Sequence, residues 1–251
     1  MRIFLCRDSI EGIFSGVYDA WDSRLGHDNV RLALAGAGDM ELFAEYQEVA
    51  EDIEKADKVL RTLKRRLWQE DFEAVYRAAL STDTEKTDSI YRFVVLALHT
   101  NRRLLDHLEH PSVQHIFQMN RRTSNEAHVY LEFVRFRELQ SGALFAEISP
   151  ENQILGLIGD HFSNRLPKEN FLIYDNRHQL CLVHKADEAW VLVDAGGLTG
   201  LEKMRFSEEE HEIAKGWQTF FDTIAIPERK NKKLQQQFLP LKFRAYMTEK
   251  I

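Results

Sequence analysis

Hydrophobic positions recur mainly at helical spacing through the first 140 residues, and after Gly142 they gather into short runs with strand character. Met1–Cys6 alternates over a length that suits a short strand, and VRLALAG at 30–36 suits a second, followed by an acidic, helix-like stretch. Between those strands Ile10, Ile13, Phe14, Val17, Tyr18 and Trp21 share one face of a helix that Ser9 can cap. Further helices are expected at about 51–68, 70–80, 88–108 and 111–140. STDTEKTD (81–88) forms a turn between two of them, and Pro111 stands where a first helical turn accepts it.

In the second half, ALFAEI (143–148), NFLIYD (170–175), QLCLVHK (179–185) and AWVLVDAG (189–196) read as strands. The last three are spaced for an antiparallel meander, with Asn176-Arg177-His178 and Ala186-Asp187-Glu188 as hairpin loops, and a short helix at 153–162 precedes it. Ser207 and Glu210 open a helix over 207–224 as a capping box. Asn231 can cap KKLQQQFL, and Pro240 can start a second short helix. The pattern predicts an α+β fold: a mainly helical lobe over 1–140 with a short N-terminal β element, then a small antiparallel-sheet α/β lobe over 141–251 ending in a basic helical tail. No flexible linker separates the lobes, so they are expected to pack as one unit.

Composition narrows the function classes. With 251 residues, 44% hydrophobic and 29% charged, the chain reads as globular, and 33 basic against 40 acidic side chains leave −7. A uniformly basic nucleic-acid coat is excluded, whereas local basic patches remain open. Acids dominate through Asp57, and then Lys58, Arg61, Lys64, Arg65 and Arg66 fall within nine residues of one helix. Two cysteines, Cys6 and Cys181, can complete neither a four-thiolate zinc site nor an iron–sulfur cluster, and they point to a reducing compartment. MRIFLCRDS has no signal-peptide core, and no apolar run nears ~20 residues, so a cytoplasmic protein without a membrane partner is expected.

No cofactor or metal is expected. LALAGAGDMELF starts like a dinucleotide fingerprint but has Glu41 at the third glycine position, where it would repel a pyrophosphate. The histidines form no HExxH set, Ser9, Ser141 and Ser163 lack a nucleophile elbow, and no G-K-[ST] occurs. Cys181 reads as a core thiol, and Asp194 before its glycine turn is a weak catalytic candidate against the commoner plain turn.

Two segments carry candidate chemistry. On a helical wheel for 120–139, Arg121, Asn125, Glu132 and Arg135 lie within roughly 60° of His128, while apolar residues cover most of the remaining circumference. A helix apolar over so wide an arc is expected to be buried, so the polar stripe must face a cleft or pair internally. Two readings stay open. One is a structural ion-pair ladder (His128–Glu132, Glu132–Arg135); the other is a cleft where Arg121 and Arg135 hold an anion and His128 with Glu132 does acid–base work. In the tail, Arg229, Lys230, Lys232, Lys233, Lys242 and Arg244 occur without an intervening acid and are interleaved with Phe238, Phe243 and Tyr246. That mixture suits phosphate contact with base stacking, or a solvated face balancing acids elsewhere.

EGIFSGVYDAW, EAHVYLEFVRFREL, LFAEISPENQIL, HFSNRLPKENFLIYD and PERKNKKLQQQFLPLKF, taken in order, resemble a bacterial DNA-metabolism (DNA-repair-associated) protein family built around a domain of unknown function. That domain is also found fused to uracil-DNA-glycosylase-like proteins, and members are usually encoded beside a radical-SAM protein of DNA modification or repair. Two places depart from the family pattern: Glu132 replaces a usual glycine, and Pro240-Leu241-Lys242-Phe243-Arg244 replaces P-x-R-Y-W.

The resemblance implies a DNA-repair accessory protein that binds DNA and works with a separate radical-SAM enzyme. Its expected contacts are Arg121, Arg122, Arg135, Arg229, Lys230, Asn231, Lys232, Lys233, Lys242, Phe243 and Arg244. The alternatives are an enzyme acting on a nucleotide or base through His128 and Glu132, and a protein–protein adaptor that makes no DNA contact.

Overall fold

A computed structural model describes residues 1–38, 41–100, 102–197, 204–226, 228, 231–244 and 246–247. Contacts divide the chain into two compact units, Met1–Asn125 and Glu126–Ile251. The fold class is α+β, as the pattern predicts.

In the first unit, β1 (Arg2–Cys6) lies between β2 (Val30–Leu34) and β3 (Glu45–Glu48), and both pairings are parallel. Ser9 caps α1 (Ile10–Asp22) as expected, its hydroxyl accepting from the Gly12 N–H. Gly16 lets α1 close on the sheet: a Cβ there would stand 2.2 Å from Cys6 Sγ, so a side chain would have to displace the buried thiol or the helix. β3 falls in the stretch read as helix-like. Its sequence, EYQE, is almost wholly exposed, and it becomes a strand because β1 offers a free edge with register Arg2↔Glu45.

Asp52 caps α2 (Ile53–Arg66), accepting from the Glu54 and Lys55 N–H groups, and Lys64, Arg65 and Arg66 occupy the last turn, where the helix dipole favours cations. α3 (Gln69–Ala79) and α4 (Lys86–His99) complete the core around Phe14, Leu32, Leu63, Tyr91 and Phe93. The helix expected over 88–108 stops at His99. Leu104–Asp106 forms a separate 3-10 turn held by the buried Asp71 carboxylate, which accepts from the Leu104 and Leu105 N–H groups at 2.9 and 3.1 Å.

The division between the units falls within α5 (Pro111–Phe133). This helix ends earlier than 140 because the chain extends to pair β4 (Arg137–Glu138) with β5 (Leu144–Ile148). The second unit's sheet has the order β4-β5-β6-β7-β8, with β6 at Phe171–Asp175, β7 at Leu180–His184 and β8 at Val191–Asp194. The three-strand meander is antiparallel as expected, but the sheet as a whole is mixed, because β5 and β6 run parallel. The intervening helix α6 (Leu155–Arg165) is the crossover that a parallel pair requires. Gly159 gives α6 room against Trp190, whose ring would be 2.6 Å from an added Cβ.

Ser207 caps α7 (Glu208–Ile224), but Glu210 reaches the Glu138 N–H (3.0 Å) and so ties the helix to β4. α8 (Lys232–Phe238) and α9 (Leu241–Arg244) follow. No helix among the described residues is long and apolar enough to cross a membrane.

Candidate nucleic-acid interface

Within the first unit, α1, α2 and α4 enclose a groove of about 520 Å³. Its floor is apolar (Val17, Leu63, Val94 and Leu98), because these helices turn their core-facing stripes toward one another there. The α2 rim carries Lys58, Arg65 and Arg66, and the opposite side carries Tyr18, Trp21, Asp22 and His99. Nearby cations are engaged: Lys55 Nζ lies 2.7 Å from Asp19, and Arg61 is 2.8 Å from Asp57. Among the described residues, Lys58, Arg65 and Arg66 have no ion-pair partner. Their charge is therefore presented to the groove's mouth.

Trp21 remains 39% exposed and belongs to an aromatic cluster. Its ring centroid is 4.6 Å from His27 and 6.4 Å from His99, the latter ring tilted by 30°. His27 Nδ1 lies 2.8 Å from the buried Tyr91 Oη. Burial, then repulsion from His99 and Arg92, pulls the His27 pKa below its ordinary 6.5. Arg92 is occupied by the His27 and Val30 carbonyls and by Asp88. The cluster thus presents an exposed aromatic surface in the same groove as Lys58, Arg65 and Arg66.

The residues expected from the sequence are distributed differently. Arg121 and Arg122 are exposed on α5 in the first unit. His128 and Glu132 are 3.8 Å apart with side chains 76% and 62% exposed. They stand open on the surface, neither enclosed in a cleft nor sealed in a buried ladder, because α5 turns other residues, including Ala127 and Tyr130, into the core. Arg135 is past the helix end. Its Nη1 donates to the Glu132 and Val134 carbonyls (2.8 and 3.3 Å), so it caps α5 in place of the expected Glu132 side-chain pair.

Arg135 does share a cavity of about 310 Å³ with Tyr246 in the second unit. Arg137, Glu147 and Glu210 also line it, so carboxylates balance the guanidinium groups. Phe243 corrects a further expectation. It is 3% exposed, with its ring 4.9 Å from both Tyr130 and Phe133, and so serves the core and offers no face to a base. Asn231 caps α8 by accepting from the Leu234 N–H (3.1 Å), and Lys232 and Lys233 are exposed beside it. Lys242 lies on α9, Arg244 is half-buried, and Arg229 and Lys230 fall outside the described residues.

The groove was only partly foreshadowed. The α2 cations are conspicuous in the sequence, but Trp21 reads as one more core position, and His99 carries no motif. A Ser89–His115–Asp83 chain (2.8 and 3.1 Å) was equally invisible, its members meeting only when α5 packs on the start of α4. Asp83 also accepts from the Glu85 N–H, so this chain ties one helix to the start of another.

A family model described as a domain of unknown function, DUF4130, matches residues 84–249. The match takes in α4, α5 and the second unit, whereas α1 and α2 precede it. No curated protein matches the chain.

Proposed function

The chain belongs to the DUF4130 family, and from that starting point we propose that it is a nucleic-acid-binding accessory protein of DNA metabolism or repair, acting with a separate radical-SAM enzyme. The observation that carries the reading is the groove of the first unit, where Lys58, Arg65 and Arg66, with no ion-pair partner among the described residues, share the lining with an exposed indole. Cations bind any strand through phosphates, and aromatic rings add contact to bases. Arg121 and Arg122 on α5, with Lys232 and Lys233 on α8, supply further exposed charge for phosphate contact.

The partner comes from the family resemblance. A radical-SAM cluster would belong to that enzyme, since this chain's two thiols are core groups: burial pushes Cys6 up to about 12 and Cys181 up to about 11, against an ordinary 9.0. The enzymatic alternative through His128 and Glu132 lacks an enclosed site, because both side chains are largely in solvent.

Fluorescence anisotropy with labelled DNA across a salt series tests the reading. Affinity should fall as salt rises, with a log–log slope of about −0.7 to −0.9 for each phosphate neutralised. Arg65→Glu combined with Arg66→Glu should weaken binding and flatten that slope by roughly two contacts. DNA binding that ignores both salt and this pair of changes would refute the proposal. Association with the radical-SAM protein in the absence of any DNA affinity would make the chain an adaptor.

A further inference from the structure

The groove's chemistry is more specific than a patch for polyanions, and we infer that it seats a single unpaired nucleotide of a DNA strand, its base against Trp21 and its phosphates along Lys58, Arg65 and Arg66. The inference rests on the nucleic-acid reading above and names the form of DNA that the groove takes.

Three observations carry it. The first is the groove's division into two walls. Cations line the α2 side, while Tyr18, Trp21 and His99 with one carboxylate, Asp22, line the other, so an anionic backbone has one favourable wall and a flat neutral ring has the opposite one. The second is the floor of Val17, Leu63, Val94 and Leu98. Val17, Leu63 and Val94 are already almost wholly buried, so the floor is dry, and the apolar surface that a base would cover is that of the half-buried Leu98, Val59 and Tyr18 and the exposed Trp21. The third is size: about 520 Å³ lies within the range of pockets that hold small ligands, so a nucleotide can enter.

A base inside a duplex has both faces covered by its neighbours, and only an unstacked base can present a face to Trp21. The geometry therefore favours single strands, or a nucleotide already displaced from a helix, over intact duplex. An unpaired base also costs less to extract, which is one source of selectivity for damaged or mismatched positions.

The test uses the full chain, a labelled 12-mer single strand and the blunt duplex of the same sequence, at one fixed salt concentration. The single strand should bind about 10-fold more tightly than the duplex. Trp21→Ala should remove that preference by weakening the single strand about 10-fold while leaving the duplex within about 2-fold, and Trp21→Phe should restore most of it. A spectroscopic readout guards against a misfolded alanine variant: single-strand binding to the wild type should quench indole emission, and Trp21→Phe should keep affinity while losing that part of the quench. Equal affinity for the two DNA forms, or a quench unchanged by Trp21→Phe, overturns the inference and leaves the accessory reading standing. If neither DNA form binds, both the inference and the nucleic-acid reading fall.

Discussion

Removing Asp8 should damage the first unit far more than removing the lysine with which it pairs. The Lys86 side chain is 1% exposed, with Nζ 2.5 Å from Asp8 Oδ1 and a second hydrogen bond to the Ser81 carbonyl. The Asp8 side chain is 51% exposed, so the two ends of one ion pair see very different surroundings. Asp8→Ala leaves a buried ammonium with the Ser81 carbonyl and no countercharge, which costs about 3–5 kcal/mol. Lys86→Met puts an apolar chain of similar length into the same space, and the abandoned carboxylate can recover its hydration. That change should cost less than about 1.5 kcal/mol. A gap of about 2 kcal/mol corresponds to well over a tenfold difference in the unfolding equilibrium. Urea denaturation followed by circular dichroism measures it, together with hydrogen exchange of peptides from residues 1–125, because two compact units need not unfold together. Equal losses for the two variants, or a larger loss for Lys86→Met, would show that the ammonium is not the group the fold must neutralise.

Other changes should report on separate parts of the fold. Gly159→Ala places a Cβ 2.6 Å from Trp190 and 2.9 Å from Leu182 Cδ1, which should cost about 1–3 kcal/mol in thermal denaturation and disturb the 2.7 Å hydrogen bond from Trp190 Nε1 to Asp160. Phe243→Ala should destabilise the second unit by about 3–5 kcal/mol while leaving the salt slope for DNA intact; the reverse outcome would return this ring to the binding surface. His27 has a folded pKa below its unfolded value of 6.5, so the unfolded chain takes the proton first as pH falls. Its contribution is complete above that value, declines as pH drops toward the folded pKa and then levels off. Wild type should accordingly lose more stability than His27→Gln between about pH 7.5 and about pH 5.5 in urea titrations, and parallel losses would contradict the assignment.

Local order was legible in the chain. Ser9 before a six-residue apolar face announces α1, and the closely spaced runs at 170–196 announce the meander, because caps and side-chain periods act over a few residues. Helix ends were harder to read. Periodicity continues past His99 and Phe133, but Asp71 captures Leu104 and Leu105 from about thirty positions away, and β5 draws Arg137 and Glu138 into a strand. EYQE has no strand signature of its own and takes its conformation from the unpaired edge of β1. The polar stripe on α5 was visible, yet whether it faced a cleft or water depended on which side of the helix met the second unit's core.

The candidate site divides in the same way. The amino-acid sequence alone determined that α2 carries a dense row of cations, that both cysteines belong to strands, and that the chain mixes helices with small sheets. Only the tertiary structure decided that Lys58, Arg65 and Arg66 would share a groove with Trp21 and His99, and that Phe243 would leave the basic tail for the core. Charge and periodicity are properties of neighbouring residues, whereas a site forms from faces brought together across tens of positions by packing. That meeting is set by the burial of apolar surface over the whole unit, which no short segment encodes by itself.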